Sequence, residues 1–302
     1  MLSSGTAIPL LLFIAQSRSN ILYDKESSQL KLISYLYDTC QDVLMQFTDF
    51  LVGSNSKGVE SMVDIFPPMR HLLGDVGLNV SVAFQLVRPL IRAALHYGED
   101  PSAAPPELQN WHPFSNEMKD VVCQYLPADV WTAISPQLYL TFWSLSLYDV
   151  FVPKAKYEAE IRRLKDRYSE LDVKAPPSED RLASKQRRAE MTKILNLTNT
   201  LREEQEAQKK HVEIIRNMIR NNKNAYLSHV NAECAPKSTE NIMQYCVYFR
   251  VLMSPADAIF CSQFFLNLHS EETPGFSTIH FFDKTMKTLA PLTFCSTEYE
   301  AG

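Results

Sequence analysis

Between Leu30 and Leu51 apolar residues return every three or four positions, at Ile33, Leu36, Tyr37, Cys40, Val43, Leu44, Phe47, Phe50 and Leu51. That period of about 3.6 predicts an amphipathic helix. Residues 53–58, GSNSKG, then read as a loop. Further helical segments are expected around Glu60–Ile65, Val80–His96 (with Pro89 inside it) and Asn116–Tyr125. Pro101, Pro105 and Pro106 mark 98–106 as a linker or surface loop. The nine-residue run from Ala7 to Ala15 has no preceding Lys or Arg and is expected to be a core helix rather than a signal peptide.

The stretch 134–153, ISPQLYLTFWSLSLYDVFVP, reads as one aromatic helix. Ser135 suits the N-cap, and Pro136 suits the first helical position because its missing N–H would be unpaired there. Nearly the whole circumference is apolar, so the helix should be buried on most sides. Pro153 ends it. Immediately beyond, Tyr157, Ile161, Leu164, Tyr168 and Leu171 are spaced 4, 3, 4, 3, the seam of a coiled coil. Pro176 and Pro177 break this arm, and Ser178 can cap a second one running through Ile194, Leu197 and Leu201 to Ile214, Ile215 and Met218. At about 1.5 Å per residue the second arm could extend ~60 Å. After residue 224 the apolar pattern returns. Ser254-Pro255 repeats the cap arrangement and opens a helix through Ile259, Phe264, Phe265 and Leu268, and 279–292 is helical by phase.

Charge sharpens the picture of the coil. Residues 154–223 hold 18 Lys and Arg against 12 Asp and Glu, leaving 12 basic and 23 acidic residues elsewhere. Arg181, Lys185, Arg187, Arg188 and Lys193 form one basic cluster, with Arg181, Lys185 and Arg188 on a single helical stripe. Lys209, Arg216, Arg220 and Lys223 form a second row. Both could contact RNA phosphates, with an affinity that falls steeply with salt. The alternative is a solvated or protein-contacting face, laced by i,i+4 pairs such as Glu158–Arg162 and Glu206–Lys210.

Other chemistry finds little foothold. Only 8 glycines are present, with no G-x-G-x-x-G or P-loop pattern. The seven histidines lack metal-binding spacings, so neither a metal nor a cofactor is expected. Six cysteines without a C-x-x-C pattern read as free thiols in a reducing compartment, Cys234 being the one in a polar stretch. No segment approaches the ~20 apolar residues of a spanning helix. The aromatics of 111–151 fall at helical spacing, which favours core packing over base stacking.

The motif ISPQLYLTFWSLSLYDVFVP, followed by Tyr157-Glu158-Ala159-Glu160-Ile161 and a charged coil, resembles the THO complex subunit 2 family. Three other places agree: LLFIAQSR at 11–18, LKLISYLYDTCQDVLMQFTDF at 30–50, and 254–278 with its DAIFCSQF and TPGFST. The resemblance implies a large all-helical, superhelical scaffold of the nucleus. It implies assembly with the other THO subunits and a DEAD-box ATPase, and a role in mRNA packaging and export. Residues 173–210 receive no assignment from the family. The chain is then expected to be a piece of a longer protein, ending at Gly302 where the family continues with more helices.

Together these observations predict an all-α, solenoid-like stack with a protruding charged helical hairpin at about 154–224. Residues 1–110 would form an N-terminal helical segment and 111–302 a second helical domain. The expected role is a non-catalytic nuclear scaffold without membrane or small-molecule ligand. A helical adaptor unrelated to RNA, dimerising through its coil, remains the alternative.

Overall fold

A computed structural model describes residues 5–23, 29–53, 62–173, 181–227, 235–297 and 300, with the side chain of Arg181 outside that set. The described residues are helical with no β-strand. They divide into two compact units, one of residues 1–147 with 218–302 and one of residues 148–217.

In the first unit, α1 (Ala7–Ile21) packs along α2 (Leu30–Gly53). Arg18, buried at their contact, donates to the Tyr37 hydroxyl and lies 4.3 Å over its ring. Only part of the apolar pattern read on α2 is covered. Leu44 and Leu51 are buried, whereas Leu36, Val43 and Phe50 are exposed. The helix carries apolar residues around more of its circumference than one neighbouring helix can cover.

The segment expected to be helical at 60–65 is partly outside the described residues. From Met62 it makes a tight turn in which the Phe66 N–H donates to the Met62 carbonyl at 2.9 Å. Next come α3 (Met69–Gly74), α4 (Val80–Leu95), the short α5 (Pro106–Gln109) and α6 (Asn116–Tyr125). The Ser115 hydroxyl caps α6 by accepting from the Met118 N–H at 3.2 Å.

The aromatic segment departs from the single helix expected. α7 (Pro136–Ser144) starts as read, with Ser135 Oγ accepting from the Leu138 N–H at 3.1 Å and Pro136 in the first turn. It then breaks at Leu145, whose backbone is extended, before α8 (Leu147–Val150). Arg250, fully buried, causes the break to persist. Its guanidinium donates to the carbonyls of Phe142 and Leu145, the latter at 2.5 Å, so these acceptors are satisfied without a continuing helix. Nε donates to Asp257 Oδ1 at 2.8 Å, and the guanidinium carbon lies 3.6 Å over the Phe260 ring.

Around this node Phe84, Tyr139, Phe142, Trp143, Phe260 and Phe264 interlock at ring-centroid distances of 5.3–6.1 Å. Burial pushes the Tyr139 phenol well above its ordinary pKa.

The second unit holds α9 (Lys154–Val173) and most of α10 (Arg181–Tyr226). At 46 residues α10 is longer than expected, about 70 Å at the usual helical rise. The Ser178 cap proposed for it lies outside the described residues. From Met218 onward α10 belongs to the first unit, where the Tyr226 carbonyl accepts from the Ser135 N–H at 3.1 Å.

The first unit is completed by α11 (Ala235–Ile242), a π-helical turn at Met243–Val247, α12 (Tyr248–Val251), α13 (Pro255–Ser270) and α14 (Thr278–Cys295). The Ser254 hydroxyl caps α13, accepting from the Asp257 N–H at 3.1 Å, and Ser277 caps α14. On α14, Ile279, Phe282, Met286 and Leu289 stay exposed.

Candidate interaction surface on the charged helical pair

The seam read on α9 is the one that forms. Leu164 is buried, Tyr157, Ile161, Tyr168 and Leu171 are half-buried, and most other positions are exposed. On α10 the covered positions alternate by three and four over a long run: Ser184, Arg187, Met191, Ile194, Thr198, Leu201, Gln205, Gln208, Val212 and Ile215. That is a coiled-coil repeat in which polar residues take several seam positions. Periodicity over apolar residues alone missed it. Leu197 and Ile214, read as part of this arm's apolar run, are exposed because each sits one position off the repeat.

Three cross-contacts give the direction of pairing. Tyr157 donates to Gln208 at 3.3 Å, Arg167 reaches Glu190 at 3.0 Å, and Arg187 donates to the Leu171 carbonyl at 3.2 Å. As the position on α9 rises, its partner on α10 falls, so the helices run antiparallel.

At the root of this pair, polar residues replace greasy ones. Gln208, 4% exposed, uses both ends of its amide. Its Nε2 donates to the carbonyls of Phe151 at 3.1 Å and Tyr148 at 3.4 Å, which lie where α8 ends. Its Oε1 accepts from Tyr157. One turn on, His211 Nε2 meets Asp149 Oδ1 at 2.8 Å, with Asp149 only 2% exposed, and the imidazole lies 5.4 Å from the Tyr148 ring. His211 is thus a hydrogen-bonding member of the root.

The nine basic residues singled out from the sequence fall into different settings. Lys185, Arg188, Lys193 and Arg216 are exposed and make no ion pair with a described residue. Lys185 and Arg188 lie three apart on one face. Arg187 instead occupies the seam, and Lys209 is half-buried and pairs with Glu206 at 3.3 Å. Arg220 and Lys223 belong to the first unit. There Arg220 grips Glu271 through two bonds of 2.6 and 3.0 Å, and Lys223 donates to the Glu271 carbonyl at 2.6 Å. Arg181 opens α10, its side chain outside the described set.

The i,i+4 pairs expected along the coil are replaced by i,i+3 pairs, Glu160–Arg163 at 2.6 Å and Glu206–Lys209. Arg162, Lys165, Arg202 and Lys210 are further exposed cations on the two helices. Their offset from the seam was the available signal. Exposed Glu158, Asp166, Glu203 and Glu213 are interspersed, so the outer surface carries both signs.

Exposed charges of both signs can pair with complementary charges on a protein or a phosphate. Cys246 and Cys261 are buried, and burial pushes both thiols well above their ordinary pKa, the opposite of an activated nucleophile. Cys234 lies outside the described residues. Among the described residues no cluster of His, Cys, Asp or Glu could hold a metal, and no helix is long and apolar enough to cross a membrane.

Comparison with known proteins places this architecture. A family model described as "Transcription factor/nuclear export subunit protein 2" (Tho2) matches residues 131–302, a span that contains the helical pair. The chain is 30% identical to THO complex subunit 2 of Arabidopsis thaliana over 98% of its own length and 17% of that protein's. For the Homo sapiens protein of the same name the figures are 29%, 100% and 19%. The Saccharomyces cerevisiae protein is 30% identical over 57% of this chain and 10% of its own length. The chain thus spans less than a fifth of the curated relatives it matches.

Proposed function

The chain belongs to the Tho2 family, and on that premise we propose that it is a non-catalytic scaffold segment of a THO complex. In this reading it acts in the nucleus, within the machinery that couples transcription to mRNA processing and export. The rigid aromatic body is the frame, and the helical pair is the surface to which other THO subunits and a DEAD-box ATPase attach. The observation that carries the reading is the long heptad seam of α10, which pairs within the chain and leaves a two-signed outer face available to partners. Binding through such a face is selective by charge complementarity.

Within that face, Lys185, Arg188, Lys193 and Arg216 are the residues proposed to touch mRNA phosphates or acidic partners. Arg187, Lys209, Arg220 and Lys223 are proposed to act through the fold, because each already has a partner in the chain. The side chain of Arg181 lies outside the described residues, and Arg181 keeps only its place on the Lys185–Arg188 stripe.

The test reverses the four exposed charges to Glu. Single-stranded RNA is titrated at two salt concentrations, and co-purification of the other THO subunits is scored in parallel. If all four touch phosphate, affinity falls and the log–log salt slope drops by about 3. Unchanged affinity and slope remove RNA from this face. A homodimer by light scattering that copurifies no THO subunit overturns the scaffold reading in favour of an independent adaptor.

A further inference from the structure

In the first unit, α2 is anchored along one side. Tyr37 stacks with Arg18, Gln41 donates to the Met253 carbonyl at 3.3 Å, and Leu44 and Leu51 are buried. At about 100° per residue these four positions fall within about 80° of one another. On the opposite side Leu32, Leu36, Thr39, Val43, Gln46 and Phe50 follow at spacings of 4, 3, 4, 3 and 4, and all six are exposed. The four apolar members are 42–55% exposed. This is a second coiled-coil seam, about 27 Å long at the usual helical rise, which the described residues leave open.

The spacing selects the kind of occupant. A stripe repeating every 3.5 residues stays in register with another helix, whose side chains enter the holes between these six. An extended segment, with its period of two, does not match it. A contiguous exposed apolar patch of this kind marks an interaction site.

Charge narrows the choice further. α2 carries Asp38, Asp42 and Asp49 against Lys31 alone. Outside residues 154–223 the chain holds 23 acidic against 12 basic residues. Asp42 and Asp49 recur seven apart on one shoulder of the seam. Asp42 is engaged within the chain, and Asp49 is exposed. The other shoulder is Ile33, Cys40 and Phe47, all half-buried, with no Lys or Arg. Two copies of α2 face to face would set the acidic shoulder against itself or against this second one. A second copy therefore supplies no opposite charge in either orientation, whereas a helix with Lys or Arg beside its apolar stripe does.

We propose that the outer seam of α2 is a docking site for a basic amphipathic helix of another protein. Its apolar residues lie between Leu32 and Phe50, and its cations run along the shoulder of Asp42 and Asp49. The site is on a different element from the charged helical pair and does not depend on what that pair binds.

The probe is a synthetic helix of four heptads with Leu at the core positions and Lys at the flanking ones, where like charge discourages self-pairing. A twin with Glu in place of Lys is the control. Both are titrated by fluorescence anisotropy against the whole chain and two variants. Leu36→Gln combined with Val43→Gln removes apolar contact without changing charge, at exposed positions, and circular dichroism and Tm check that the fold is kept. Asp49→Asn removes one shoulder charge. The natural chain should bind the Lys helix roughly tenfold or more tighter than its twin, and the double variant should lose roughly tenfold or more of that affinity. Asp49→Asn should narrow the preference for Lys over Glu by roughly threefold, the size of a rim ion pair. No binding of the Lys helix, equal binding of the twins, or equal binding by the natural chain and the double variant overturns the site. Sedimentation tests the other occupant: a dimer of the natural chain that the double substitution dissociates assigns the seam to a second copy and overturns the proposal.

Discussion

Replacing Arg250 with methionine tests the central joint of the first unit. The substitution keeps much of the side-chain length and removes every donor. The carbonyls of Phe142 and Leu145 then face a dry interior without partners, and Asp257 keeps only Arg88 and Ser254. Each stranded carbonyl costs about 1–3 kcal/mol. The guanidinium stacked on Phe260 contributes up to about 2 kcal/mol more when desolvated. Against these losses, methionine avoids burying a charge and relieves its repulsion from Arg88. The balance is a destabilisation of about 3–5 kcal/mol, within the range for breaking a buried pair from one side. Urea unfolding followed by tryptophan fluorescence suits the measurement, because the Trp143 ring lies 5.7 Å from the guanidinium. With m near 3 kcal/mol/M or somewhat above for a chain of this size, the midpoint should fall by about 1 M. A loss below about 1 kcal/mol at unchanged m would refute the claim that Arg250 holds the α7–α8 break.

Three further outcomes are expected. Gln208→Leu removes the bonds to the Tyr148 and Phe151 carbonyls and should destabilise the helical pair by about 2 kcal/mol, read as earlier loss of helical circular dichroism on heating. His112 is buried with Nε2 bonded to the Gly98 carbonyl at 3.0 Å, and burial depresses its pKa below the ordinary 6.5. The folded state favours the neutral ring, so its contribution is present above that value and lost as pH falls through the folded pKa. His112→Gln should flatten that acid limb of the stability profile. Leu164→Ala opens the one buried position of α9 and should cost about 2–4 kcal/mol in the transition of the helical pair, resolved by calorimetry.

How far the sequence foretold these features depended on whether the determinant was local. The seam at Tyr157, Ile161, Leu164, Tyr168 and Leu171 and the caps at Ser135 and Ser254 were legible, because spacing and cap chemistry act within a few residues. The break at Leu145 was not. It is stabilised by Arg250, 105 residues away, and an apolar run shows no trace of it. The α10 seam was half legible for a related reason. Thr198, Gln205 and Gln208 take positions that a search for apolar residues passes over. Nor could periodicity sort the cations, since Arg187 and Lys185 differ only in which side of the helix meets α9.

The antiparallel pairing of α9 with α10 inside one chain is tested most directly by cross-linking. Arg167 and Glu190, in contact at 3.0 Å, are replaced by cysteines, and a short bis-maleimide is mapped by peptide mass spectrometry at low protein concentration. The account predicts an intramolecular 167–190 link and none when the second cysteine replaces Lys210. A link formed only between two copies, or a 167–210 link in place of 167–190, would contradict it.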